Sequence, residues 1–122
     1  MELMGILKYK IEKDGIVITG CAKDIKLLSI PAKIDGYPVK VIGCGAFRGH
    51  TQLETVVLPP TIERICAGAF ENCSNLYHFE LASPETTFEG MNIFTGARYS
   101  MTEYLKKIRC QVLNVEFQDD ER

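Results

Sequence analysis

The chain lacks the runs and clusters by which several classes of protein declare themselves. No apolar stretch approaches the roughly 20 residues that a membrane-crossing helix needs, so no membrane insertion is expected. The N-terminus, Met1-Glu2-Leu3-Met4-Gly5-Ile6-Leu7-Lys8, has no basic segment ahead of a long apolar one and does not read as a signal peptide. As written the chain reads as cytoplasmic, or as a cell-surface or secreted protein if a signal peptide has been removed. There is no basic stripe, and the net charge is −2. Nucleic acid therefore has no electrostatic footprint to bind. The five cysteines, Cys21, Cys44, Cys66, Cys73 and Cys110, are odd in number and include no Cys-x-x-Cys pair. That argues against a disulfide framework or a zinc site and for small side chains that fill a core.

The same scarcity covers catalysis. Gly43-x-Gly45 and Gly68 are followed by no Gly-Lys-Ser/Thr, so they do not form a phosphate loop. His50, His78 and Glu80 have no ligand spacing, and no metal or other cofactor is expected. Cys73 and His78 are close enough in sequence to suggest a thiol–imidazole pair. Cys73, however, sits at a repeated position, which favours packing. A cryptic thiol-dependent enzyme would need a cysteine with a depressed pKa. The chain is read as not an enzyme.

What is present is an internal echo. Gly45-Ala46-Phe47-Arg48-Gly49-His50-Thr51-Gln52-Leu53 returns 23 residues later as Gly68-Ala69-Phe70-Glu71-Asn72-Cys73-Ser74-Asn75-Leu76. A repeat of this length means that each unit cannot bury its own apolar face and must stack on its neighbours. The chain has 122 residues, of which 46% are hydrophobic, enough for one domain with a substantial core.

Three stretches share one apolar spacing: Ile25-x-x-Leu28-x-Ile30, Leu53-x-x-Val56-x-Leu58 and Leu76-x-x-Phe79-x-Leu81. The last two apolar residues of each are two apart, which puts them on one face of a short strand. Pro31 and Pro59 end the first two strands. A second apolar pair follows in each unit: Val39 and Ile42, Ile62 and Ile65, Phe88 and Met91. Then come Ala46-Phe47, Ala69-Phe70 and Ile93-Phe94, a small or medium residue beside a ring. Stacking predicts a column of phenylalanines. The first unit is longer, and its extra residues lie around the turn-forming Ile34-Asp35-Gly36-Tyr37-Pro38.

The ends differ from the repeats, as caps should. Leu7, Tyr9 and Ile11, then Ile16 and Ile18, alternate about Lys13-Asp14-Gly15 and predict a β-hairpin within an N-terminal cap over 1–24. The repeats occupy 25–97. Ser100-Met101-Thr102-Glu103 has capping-box spacing, and Met101, Leu105, Ile108 and Val112 follow at helical intervals. They predict a C-terminal helical cap within 98–122. The fold class is a β-rich short solenoid (α+β) of about three stacked units in a single domain.

Ile30-Pro31, Ile42-Gly43-Cys44-Gly45-Ala46-Phe47, Leu58-Pro59, Ile65-Cys66-Ala67-Gly68-Ala69-Phe70 and Cys73-Ser74-Asn75-Leu76 together resemble the BspA-type leucine-rich repeat family over about residues 9–97. The departures are His50 where the second unit has Cys73, Cys66 where the first has Gly43, and a third unit that keeps only Leu76, Phe79, Leu81 and Phe94. The resemblance implies a leucine-rich-repeat solenoid and protein or surface binding, often adhesion, with no shared catalytic residues. A non-catalytic protein-interaction module is the first expectation. A fragment or relative of a secreted surface adhesin is the second.

Residues between the buried strand positions must face the other way. These are Lys26, Leu27 and Ser29, then Glu54, Thr55 and Val57, then Tyr77, His78 and Glu80. They form the candidate protein-binding face for a partner of unknown identity. The open edges of a short sheet also permit a homo-oligomer.

Overall fold

The computed structural model describes residues 2–3, 7–13, 15–22, 24–81, 83 and 85–97. They form a β-solenoid of about three turns. Ten strands are present among these residues: β1 Glu2–Leu3, β2 Leu7–Glu12, β3 Gly15–Cys21, β4 Leu27–Ser29, β5 Lys33–Ile34, β6 Tyr37–Ile42, β7 Thr55–Leu58, β8 Arg64–Cys66, β9 His78–Leu81 and β10 Thr87–Glu89. No helix occurs among the described residues. The helical cap expected from Ser100 onward lies outside them.

Each turn contributes one strand to each of two sheets. The three-stranded sheet runs β4-β7-β9, all parallel. The larger sheet runs β1-β2-β3-β6-β8-β10, with β5 paired to β6 off that path. Its repeat strands β6, β8 and β10 are also parallel. The β2–β3 hairpin is antiparallel, as the alternation predicts, and β3 joins β6 in parallel to start the stack. Ile16 and Ile18 are fully buried by this arrangement, while Ile11 is left exposed near the end of β2. The first unit's extra residues form a second hairpin, β5–β6. Asp35 and Gly36 turn it with φ of 54° and 83°, the two positive angles that a tight hairpin loop with matching twist requires. The Tyr9 hydroxyl donates to Asp35 Oδ2 at 2.8 Å and ties the cap to that loop.

The core lies between the two sheets. Leu28, Val56 and Phe79 enter it from one side and Ile42 and Ile65 from the other. Phe47, Phe70 and Phe94 form the predicted column. The loops that carry these rings turn twice through the left-handed region. Gly45, Gly68 and Asn92 fill the first such position, with φ of 64°, 68° and 63°. Gly49, Asn72 and Gly96 fill the second, with φ of 76°, 62° and 83°. Glycine and asparagine are the residues that tolerate this conformation at least cost.

The contacts between turns repeat the sequence period. Arg48 Nε meets Glu71 Oε1 at 3.0 Å across 23 residues. Asn75 Nδ2 donates to the Thr51 carbonyl, and Thr86 and Thr87 donate to the carbonyls of Ile62 and Glu63, each across 24. The third unit departs from the expected pairing of Phe88 with Met91. Met91 is 75% exposed, and the buried partner of Phe88 is Thr86. The two inward positions there are two residues apart rather than three, and Thr86 is accommodated because its hydroxyl donates to the Ile62 carbonyl at 2.6 Å.

Candidate functional site

The strand alternation that buries Leu28, Val56 and Phe79 turns the neighbouring residues outward. The register aligns Leu27 with Thr55 and His78, and Ser29 with Val57 and Glu80. The Lys26 carbonyl accepts from the backbone N–H of Glu54 and Thr55, and the Glu54 carbonyl accepts from Tyr77 and His78. Leu27, Thr55 and His78, and Ser29, Val57 and Glu80, thus form two outward columns with rows about 4.8 Å apart, and Lys26, Glu54 and Tyr77 adjoin them where the strands begin.

That face is chemically mixed. Leu27 is 64% exposed and Tyr77 54%, so two large side chains flank the sheet with most of their surface in water. Thr55 and Val57, on the central strand, are half-buried by their neighbours. His78 Nε2 and Glu80 Oε2 lie 2.6 Å apart on β9, the last strand of this sheet among the described residues. One lysine and two glutamates border the apolar and aromatic groups, so charge of neither sign dominates.

The residues weighed for catalysis are distributed otherwise. Cys73 is fully buried, and its Sγ donates to the Phe47 carbonyl at 3.0 Å. Burial pushes this thiol up to about 11. Burial also raises the Cys66 thiol. Both shifts run opposite to what a reactive thiolate needs. His78 is engaged with Glu80 rather than with Cys73. His50 is buried, with Nε2 3.1 Å from the Cys21 carbonyl. It occupies the repeat position of Cys73, and the two share a job: each places a polar side chain on a backbone carbonyl of the preceding layer. Among the described residues no group of three or more His, Cys, Asp or Glu is placed to hold a metal ion, and no helix is long and apolar enough to cross a membrane.

A two-sheet solenoid with a phenylalanine column and a regular outward face defines the class as a leucine-rich-repeat protein. The family model of the BspA type leucine rich repeat region, in six copies, matches residues 21–113, and the chain belongs to this family. The match continues past residue 97 into the segment for which a helix is expected. A crystal structure of a leucine-rich repeat protein from T. pallidum is similar, with 30% identity and a TM-score of 0.64 over 70% of this chain and 40% of that one. A leucine-rich repeat protein from Bacteroides ovatus shares the fold at 20% identity and a TM-score of 0.63, over 80% of this chain and 33% of that one. The chain thus spans well under half the length of either structure. No curated protein matches it significantly.

Proposed function

We propose that this chain is a non-catalytic protein-interaction module that binds through the outward face of β4, β7 and β9. The observation that carries the reading is the exposure of Leu27 and Tyr77 at opposite margins of a regular parallel sheet. Large apolar and aromatic side chains held in water by a rigid scaffold are the groups that supply most of the energy in protein interfaces. The polar residues between them would set orientation, in the way that interface rims do. Membership of a repeat family built for extended surfaces supports the same reading. The partner is a protein whose surface offers an apolar pocket for Tyr77 and a donor for Glu80 or Glu54.

The test uses a photo-reactive amino acid placed singly at Leu27, Tyr77 or, as a control on the opposite sheet, Val17. The partner should cross-link from the first two positions and not from the third. Combined substitution of Thr55, Val57, Tyr77 and His78 by alanine should then weaken the purified complex at least tenfold, while the far-ultraviolet spectrum stays native. Cross-linking from Val17 alone, or unchanged affinity in the fourfold variant, would remove this face from consideration.

A further inference from the structure

The outer face of the larger sheet carries two thiols that the sequence holds 22 residues apart. Ile42 pairs with Ile65 in the parallel β6–β8 ladder. Continuing that register sets Gly43 opposite Cys66 and places Cys44 one residue further on. The backbone remains joined there, since the Gly45 N–H donates to the Ala67 carbonyl at 2.9 Å. Adjacent strands about 4.8 Å apart and a rise of about 3.3 Å per residue give a diagonal Cα separation of about 6 Å. That lies inside the range a disulfide spans without backbone movement. The side chains are on the same surface, because Ile65 points inward and both cysteines border an open trough with Lys10, Glu12 and Arg64. The two are close enough that Cys44 is among the neighbours that raise the Cys66 thiol, after burial. Both are free in this structure; Cys44 is exposed, and Cys66 is partly covered.

We infer that Cys44 and Cys66 are a vicinal dithiol that a low-molecular-weight disulfide converts into an intramolecular crosslink between the first and second turns. The order of events follows from access. Cys44, the more exposed sulfur, attacks the small disulfide as its thiolate. The oxidant's S–S bond breaks, one small thiolate leaves, and a mixed disulfide remains on Cys44. Cys66 then gives its proton to solvent and attacks the Cys44 sulfur, expelling the second small thiolate. The protein loses two hydrogens, and the oxidant is reduced to two thiols. Burial raises the Cys66 thiol, with Arg64 opposing it, so the second step quickens as pH rises. Cys21 and Cys73 are buried and do not compete.

The test treats the folded 122-residue chain, and its Cys110→Ser variant, with oxidised glutathione, blocks remaining thiols with iodoacetamide and maps the peptides by mass. The expected product is a Cys44–Cys66 linked peptide in both proteins, monomeric on a non-reducing gel. Cys66→Ser should accumulate glutathione on Cys44, and Cys44→Ser should leave Cys66 mostly alkylated. A wild-type protein that retains glutathione on Cys44 with Cys66 still alkylated would overturn the inference. So would a crosslink joining two molecules, or a Cys66→Ser protein whose Cys44 stays unmodified.

Discussion

Phe47 and Phe70 stack face to face across one turn of the solenoid, ring centroids 5.2 Å apart and planes 19° from parallel. Phe70 repeats the relationship with Phe94 at 5.5 Å and 9°. Phe79 meets both Phe70 and Phe94 edge-on, at 5.5 and 5.1 Å. Phe70 thus meets three rings and is fully buried. Truncating it removes a large apolar volume from a site whose walls are other rings and cannot collapse readily. Phe70→Ala should cost about 3–5 kcal/mol and more than Phe94→Ala, because Phe70 is fully buried whereas Phe94 keeps 7% of its surface exposed. Urea unfolding of both variants checks the ranking.

The Cys73 thiol gives stability a pH dependence above neutrality. Burial raises it from 9.0 to about 11 in the folded chain. Below pH 9 the thiol is protonated in both states, and its contribution is complete. Between about 9 and 11 the unfolded chain releases the proton while the folded chain keeps it, so stability falls as pH rises. The slope from this group is about 1.4 kcal/mol per pH unit, or about 2–3 kcal/mol across the window. Cys73→Ala should be less stable near neutrality and should lack that portion of the alkaline decline. Denaturation midpoints of the two proteins at about pH 8 and about pH 11 give the comparison.

Much of this architecture is legible in the chain because stacking is a periodic constraint. A parallel neighbour must offer the same residue type at the same register position, so Leu28, Val56 and Phe79 declare themselves by recurrence alone. The same logic fails where a unit changes its own spacing. Thr86 is polar and two residues from Phe88, so apolar spacing passes over it and selects Met91, which the structure turns to solvent. Ile11 continues the alternation of Leu7 and Tyr9 beyond the point where the core has material to cover it. On the candidate face, alternation settles which residues point outward but not how far they are exposed. Val57 is half-buried between two flanking strands, whereas Leu27 on the edge strand β4 is not. The Cys44–Cys66 neighbourhood was hidden for a related reason: the two occupy different repeat positions, and only the register of β6 and β8 brings them together.

Gly90 and Gly49 separate backbone strain from steric exclusion. Both have positive φ, 106° and 76°. A Cβ on Gly49 would meet nothing within 4 Å, whereas one on Gly90 would lie 2.6 Å from the Ala67 Cβ and 3.0 Å from its Cα. Gly49→Ala should cost about 1 kcal/mol, the penalty of the left-handed backbone alone. Gly90→Ala adds the displacement of Ala67 and should cost about 3 kcal/mol. Equal losses in chemical denaturation would show that β8 and the loop after β10 part without resistance.

Thr61 and Thr86 should respond in opposite directions to the same change. Thr61 Oγ1 is buried and has no hydrogen-bond partner among the described residues, so its desolvation on folding is uncompensated there. Thr86 is buried with its hydroxyl donating to the Ile62 carbonyl at 2.6 Å. Valine keeps the shape of threonine and removes the hydroxyl. Thr61→Val should raise stability by about 1 kcal/mol by relieving an uncompensated desolvation. Thr86→Val removes a donor from a buried carbonyl and should lower stability by about 1–2 kcal/mol. The double variant should lie close to the sum if the two sites are independent. A loss from Thr61→Val in urea denaturation would mean that its hydroxyl is bonded in solution.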